Sequence, residues 1–191
     1  LLKDFKTSIN FYQRSIKIDL FYKDSYYGLG KSLFSMDKWF EAIHYFKKAQ
    51  KIDNDNIDFL KSLAYAEFKV GNLVSSIDVY TKVIELYPED VESCLDFSFI
   101  YYESGDIKKA ISIINEGIAE TPGESLFYYR LVVYLLDDGK YKEAINVLES
   151  ALSINFENHD VLFELIPKFE TQSALIRVIN QFKKNKNNKP S

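Results

Sequence analysis

The chain has 191 residues, 47% hydrophobic and 16% aromatic, and a net charge of -4. That length and apolar content suffice for the core of one ordinary domain, while the acidic balance argues against a dedicated nucleic-acid binder, which shows a basic face. One cysteine, Cys94, excludes a disulfide framework and leans towards a reducing compartment, and the longest apolar run, Leu131 to Leu136, falls far short of the ~18 residues of a membrane span, so no membrane insertion is expected.

Apolar residues recur at helical spacing from end to end, and no stretch alternates with the period of a strand. The first predicted helix, 3–18, carries Phe5, Ile9, Tyr12 and Ile16 on one stripe. It opens midway through a period and the chain does not begin with Met, so the start reads as a cut through a longer protein. Only one side of this helix can be covered by the next hairpin. Its other side is expected to take an upstream helix or a second copy of the chain, making a homo-oligomer. Further helices are predicted at 24–36, 40–52, 58–70, 74–86, 92–104, 108–120, 125–137, 142–154, 160–166 and 173–184. Asn56, Asp90 and Asn158 precede three of them as candidate caps. Pro88 and Pro122 close two others.

The elements repeat. Ile9, Ile43, Ile77, Ile111, Ile145 and Ile179 are spaced 34 residues apart. The residue before each is mostly small: Ser8, Ala42, Ser76, Ala110, Ala144 and Val178. A second set, Leu29, Leu63, Phe97, Leu131 and Leu165, keeps the same period, and Gly71, Gly105 and Gly139 divide the halves. Each period is therefore two amphipathic helices with a tight turn between them. The units are a half repeat at 1–22, full repeats at 23–56, 57–90, 91–124 and 125–158, and a degenerate capping hairpin at 159–184 with Pro167 inside its first helix. These make one domain, 1–184, and the tail 185–191 is expected to be disordered.

This pattern resembles the tetratricopeptide repeat family. Residues 23–56 supply Tyr26, Leu29, Gly30, Leu33, Ala42, Phe46 and Ala49 where that family places its signature. The resemblance implies an all-α fold, a right-handed α-solenoid of stacked antiparallel helix hairpins. It also implies a concave groove lined by set positions of each first helix. Here those positions give Tyr27, Lys31, Phe34, Lys61, Tyr65, Phe68, Phe99, Tyr102, Tyr129 and Phe163 as the partner-binding set. Asp24, Asp58, Glu92 and Asp160 stand at another groove position, which suggests a taste for basic ligands, although acidic residues also suit a helix start. The family's chaperone carboxylate clamp is not formed. Its positions hold Tyr27, Lys31, Ser62, Glu92 and Asp96.

Residues suited to catalysis are scarce. His44 and His159 are the only histidines and lack the helical spacing of a zinc site. Cys94 falls in a core position. Asp53 to Asn56 opens like a calcium loop, but Asp58 stands where that loop needs Gly and Ala64 where it needs Glu. No cofactor, metal or catalytic residue is expected. The function expected is a protein-interaction scaffold that holds a peptide or helix. The alternative is a structural or regulatory region of a larger protein, acting by self-association or through an attached catalytic or DNA-binding domain.

Overall fold

The computed structural model describes residues 2–165 and 173–187. They form α-helices, one 3-10 turn and, among the described residues, no strand. The predicted break at Pro167 lies outside the described residues. Contacts divide the chain into two compact units, Leu1–Pro88 and Glu89–Ser191.

The first unit contains α1 (Leu2–Ile18), α2 (Lys23–Phe34), α3 (Trp39–Ile52), α4 (Ile57–Lys69) and α5 (Leu73–Leu86), each packed on the next in sequence. Its core joins Leu29 and Leu33 of α2 to Ala42, Ile43 and Phe46 of α3 and to Leu63 and Ala66 of α4. Full burial of a side chain such as Phe46 contributes about 1.5–3 kcal/mol. Helices approach closely where side chains are small. A Cβ on Gly30 would lie 2.5 Å from the Phe46 ring. Ala42 has no exposed surface, and the Ser76 hydroxyl donates to the Ala64 carbonyl at 2.7 Å, tying α5 to α4.

The second unit contains α6 (Val91–Glu103), α7 (Ile107–Glu120), α8 (Ser125–Asp137) and α9 (Tyr141–Ile154), then the 3-10 turn Phe156–Asp160, α10 (Val161–Leu165) and α11 (Ser173–Asn187). Here α10 packs on α8 and α11 on α9. Every residue from Leu131 to Leu136 is buried, as are Ala110 and Ala144. Cys94 is buried, its thiol donating to the Ile113 carbonyl at 3.4 Å and lying where a Cβ on Gly117 would fall 2.7 Å from the sulfur. Burial, with Glu116 and Asp90 nearby, pushes this thiol up to about 12.

The turn inside each full hairpin repeats one device. Asp37, Gly71, Gly105 and Gly139, each 34 residues after the last, all have positive φ, at 58°, 81°, 87° and 76°. The next residue's N–H reaches back five positions: Lys38 to Leu33, Asn72 to Glu67, Asp106 to Tyr101 and Lys140 to Leu135. This satisfies carbonyls that the helix end leaves free.

Two expectations need correcting. Asn158 is not a cap. Asn155 caps the 3-10 turn instead, accepting from Glu157 N–H, while Asn158 lies within the turn and donates to the Ser125 hydroxyl. The last helix also runs further than expected, because α11 ends at Asn187, past the predicted end at 184. Residues 188–191 lie outside the described residues. Asn56 and Asp90 do cap their helices, accepting from Phe59 and Ser93 N–H.

Candidate partner-binding site

The predicted groove residues come from the first helix of each hairpin. In the Leu1–Pro88 unit, α2 supplies Tyr27, Lys31 and Phe34, and α4 supplies Lys61, Tyr65 and Phe68. Seven-residue spacing within each set puts Tyr27 and Phe34, or Lys61 and Phe68, about two turns apart on one face. The structure brings the two helices together there. Phe34 and Tyr65 have ring centroids 5.8 Å apart, and Tyr65 and Phe68 6.4 Å. Tyr27 sits deeper, 4.7 Å from Phe59 and 5.9 Å from Phe46, and its hydroxyl bonds to Ser62 at 3.1 Å.

These contacts leave a pocket of about 200 Å³ between α2 and α4, lined by Lys31, Phe34, Ser35, Phe46, Ser62 and Tyr65. Phe46 is its buried wall, while Lys31 and Ser35 are exposed. The Lys31 ammonium lies 5.4 Å above the Tyr27 ring and that of Lys69 5.3 Å above the Tyr65 ring. Sequence reasoning placed Lys31, Phe34 and Tyr65 here. It missed Ser35, named Ser62 only at a position of the absent carboxylate clamp, and read Phe46 only as core.

In the Glu89–Ser191 unit, Phe99 and Tyr102 are half-buried neighbours on α6, 6.4 Å apart. Arg130 of α8 stacks over Phe99 at 5.7 Å, and Tyr102 stacks on the buried Tyr134 at 4.8 Å. The Tyr102 hydroxyl donates to the Asp137 carboxylate, which with burial raises its ionisation to about 12. Tyr129 departs from expectation. It is fully buried, at 0% exposure, and its hydroxyl donates to the Asn155 carbonyl at 2.8 Å. α10 packing on α8 accompanies this burial, so Tyr129 presents no surface to a partner. Phe163, on α10, is 39% exposed and lies edge-on to His159.

Two further polar sites have structural partners. Lys23 pairs with Asp53 at 2.5 Å, so the Asp53–Asn56 stretch is a polar junction with a cap. His159 Nδ1 lies 2.7 Å from the Phe156 carbonyl oxygen. Among the described residues no cluster of His, Cys, Asp and Glu could hold a metal ion, and no helix is long and apolar enough to cross a membrane.

Two family models match the sequence, both described as tetratricopeptide repeat, at residues 24–56 and 126–158. No curated protein matches the chain. Among solved structures, MamA is similar at 22% identity and a TM-score of 0.72, over 83% of this chain and 92% of that one. YrrB, described as a TPR protein with an unusual peptide-binding site, is similar at 20% identity and a TM-score of 0.66, over 85% and 84%. A thermophilic TPR protein of Thermus thermophilus is similar at 15% identity and a TM-score of 0.64, over 86% and 90%. Hairpin geometry and the repeated left-handed turn agree with these matches, and the chain contains tetratricopeptide repeats at 24–56 and 126–158.

Proposed function

We propose that the chain is a non-catalytic interaction scaffold that holds a peptide or helix of a partner protein against its first helices. The carrying observation is the pocket between α2 and α4, where Phe34, Phe46 and Tyr65 meet the exposed Lys31. Its ~200 Å³ is smaller than the roughly 300–1,000 Å³ typical of small-molecule sites. It suits one side chain of a partner segment. Aromatic residues anchor such contacts because they bury large area at small entropic cost. Capture of the natural partner by the parent and by a Phe34→Ala/Tyr65→Ala variant tests this. A loss of about 2 kcal/mol, roughly thirtyfold, is expected with helix content retained. Lys108→Ala and Lys142→Ala, exposed on second helices, are controls. Unchanged binding by the folded double variant refutes the reading.

A second reading rests on α1. Phe11 is 66% exposed and Ile18 88%, whereas one period later Tyr45 is half-buried and Ile52 is 37% exposed. The loop after α1, Leu20 to Tyr22, is apolar and exposed where the next junctions read Asn54 to Asn56 and Pro88 to Asp90. Apolar surface of this kind marks an interaction face, and self-association through α1 would cover it. Sedimentation over a range of concentrations tests this, with Ile18→Glu expected to yield monomer. A parent that is monomeric throughout refutes it.

A further inference from the structure

We infer that the pocket between α2 and α4 takes an apolar side chain flanked by carboxylates, so that the partner carries an acidic–apolar segment; this rests on the scaffold reading above. Phe34, Phe46 and Tyr65 wall the pocket with apolar surface. Positive charge stands beside them. Lys31 lines the pocket, and Lys69 lies over Tyr65, which also lines it. Both ammonium groups rest on aromatic faces, and neither has an ion-pair partner among the described residues. A lysine on a ring is partly stripped of water while its charge stays uncancelled. An incoming carboxylate can bond to such a group without displacing an existing pair.

Asp37 stands in the turn two residues after Ser35, and the unit's other nearby acidic residues lie away from this patch. No carboxylate lines the pocket. Asp24 and Asp58 stand in the first turns of α2 and α4, seven residues before Lys31 and Tyr65. That is about 10 Å along the axis, roughly one Debye length at 0.1 M salt. Glu67 is 1% exposed and faces Lys47 and Asn72. The acidic residues at helix starts suggested a taste for basic ligands, but the pocket in this unit has the opposite sign. The Ser62 hydroxyl, bonded to Tyr27, and the exposed Ser35 add neutral groups able to meet a peptide backbone.

The test uses three fluorescein-labelled, C-terminally amidated seven-residue peptides read by polarisation. One has a central leucine between glutamates, the second has lysines in place of the glutamates, and the third has alanine in place of the leucine. The glutamate peptide is expected to bind at least about tenfold more tightly than either other peptide. Lys31→Glu, at an exposed position, is expected to weaken it at least fivefold and to improve the lysine peptide. Lys31→Met should give an intermediate result, and circular dichroism confirms that both variants are folded. The inference is overturned if the lysine peptide binds as well as the glutamate peptide, if Lys31→Glu changes nothing, or if none of the three binds. Natural-partner binding that needs Phe34 and Tyr65 but ignores Lys31→Glu would sink the acidic preference and leave the scaffold reading standing. Partner binding indifferent to all three residues would remove both.

Discussion

At the scale of single residues, the fold depends on positions where anything larger or differently shaped would not fit. Gly105 has φ near 87° with no heavy atom near its would-be Cβ, so the strain of a substitution is purely of backbone origin. Gly105→Ala should cost about 1–2 kcal/mol, the penalty of an L-residue in the left-handed region. Thermal melting that matches the parent would show that the turn relaxes. Asp37 occupies the same register with φ of 58° and bears part of that penalty already. Asp37→Gly therefore relieves strain in the native turn while loosening the unfolded chain. The net change in melting temperature should be smaller than that of Gly105→Ala and opposite or null in sign. Ala110 is fully buried at the contact of two helices. Ala110→Leu should overpack it and destabilise by roughly 1–3 kcal/mol, and an unchanged melt would mean the helices part without cost.

At the scale of elements, the contact of α3 with α4 contains a charge that the repeat pattern does not ask for. Glu67 fills a column otherwise held by Leu33, Tyr101 and Leu135. Burial pushes its carboxyl up, but bonds from Lys47, 2.6 Å away, and from Asn72 and Ser75 outweigh that and hold it below the ordinary 4.5. A carboxyl lowered on folding adds stability that is present above about 4.5 and is lost as pH falls through the folded value. Glu67→Gln should therefore flatten the dependence of melting temperature on pH below 5. An equally steep decline in the variant would assign acid sensitivity to other groups. Lys47→Met, which leaves the carboxylate one donor short, should cost about 1–3 kcal/mol. Helix ends were legible from the sequence to within one to three residues, because the 34-residue columns and the turn glycines mark both sides of each turn. Phe34 and Tyr65 were legible for the same reason, since register alone assigns them a face. Ser35 was not, because the pocket arises where three helices converge and no single period encodes it. The burial of Tyr129 was hidden too, since the 3-10 turn that packs on α8 has no counterpart after α3, α5 or α7. Asp37 escaped notice because its left-handed turn uses no glycine.

At the scale of the whole molecule, α1 to α5 in one unit and α6 to α9 in the other each pack chiefly on their neighbours in sequence, so the stability of each unit is close to a sum of hairpin and nearest-neighbour terms. Substitutions in distant hairpins, such as Lys47→Met and Gly105→Ala, should then add to within about 0.5 kcal/mol in a double variant. A larger deviation would reveal coupling beyond adjacent hairpins. The chain's only indole, Trp39, stands at the start of α3, in the Leu1–Pro88 unit. Its only thiol, Cys94, is in the Glu89–Ser191 unit. Because the thiol is sealed and held protonated at neutral pH, a thiol-specific dye must wait for α6 to come away from α7. The labelling rate at low denaturant then measures how often that happens, and Gly105→Ala should hasten it. The fluorescence of Trp39 reports separately on the other unit. The protein thus carries a clock in one half and a lamp in the other, and each half can be followed without introducing a probe residue by substitution.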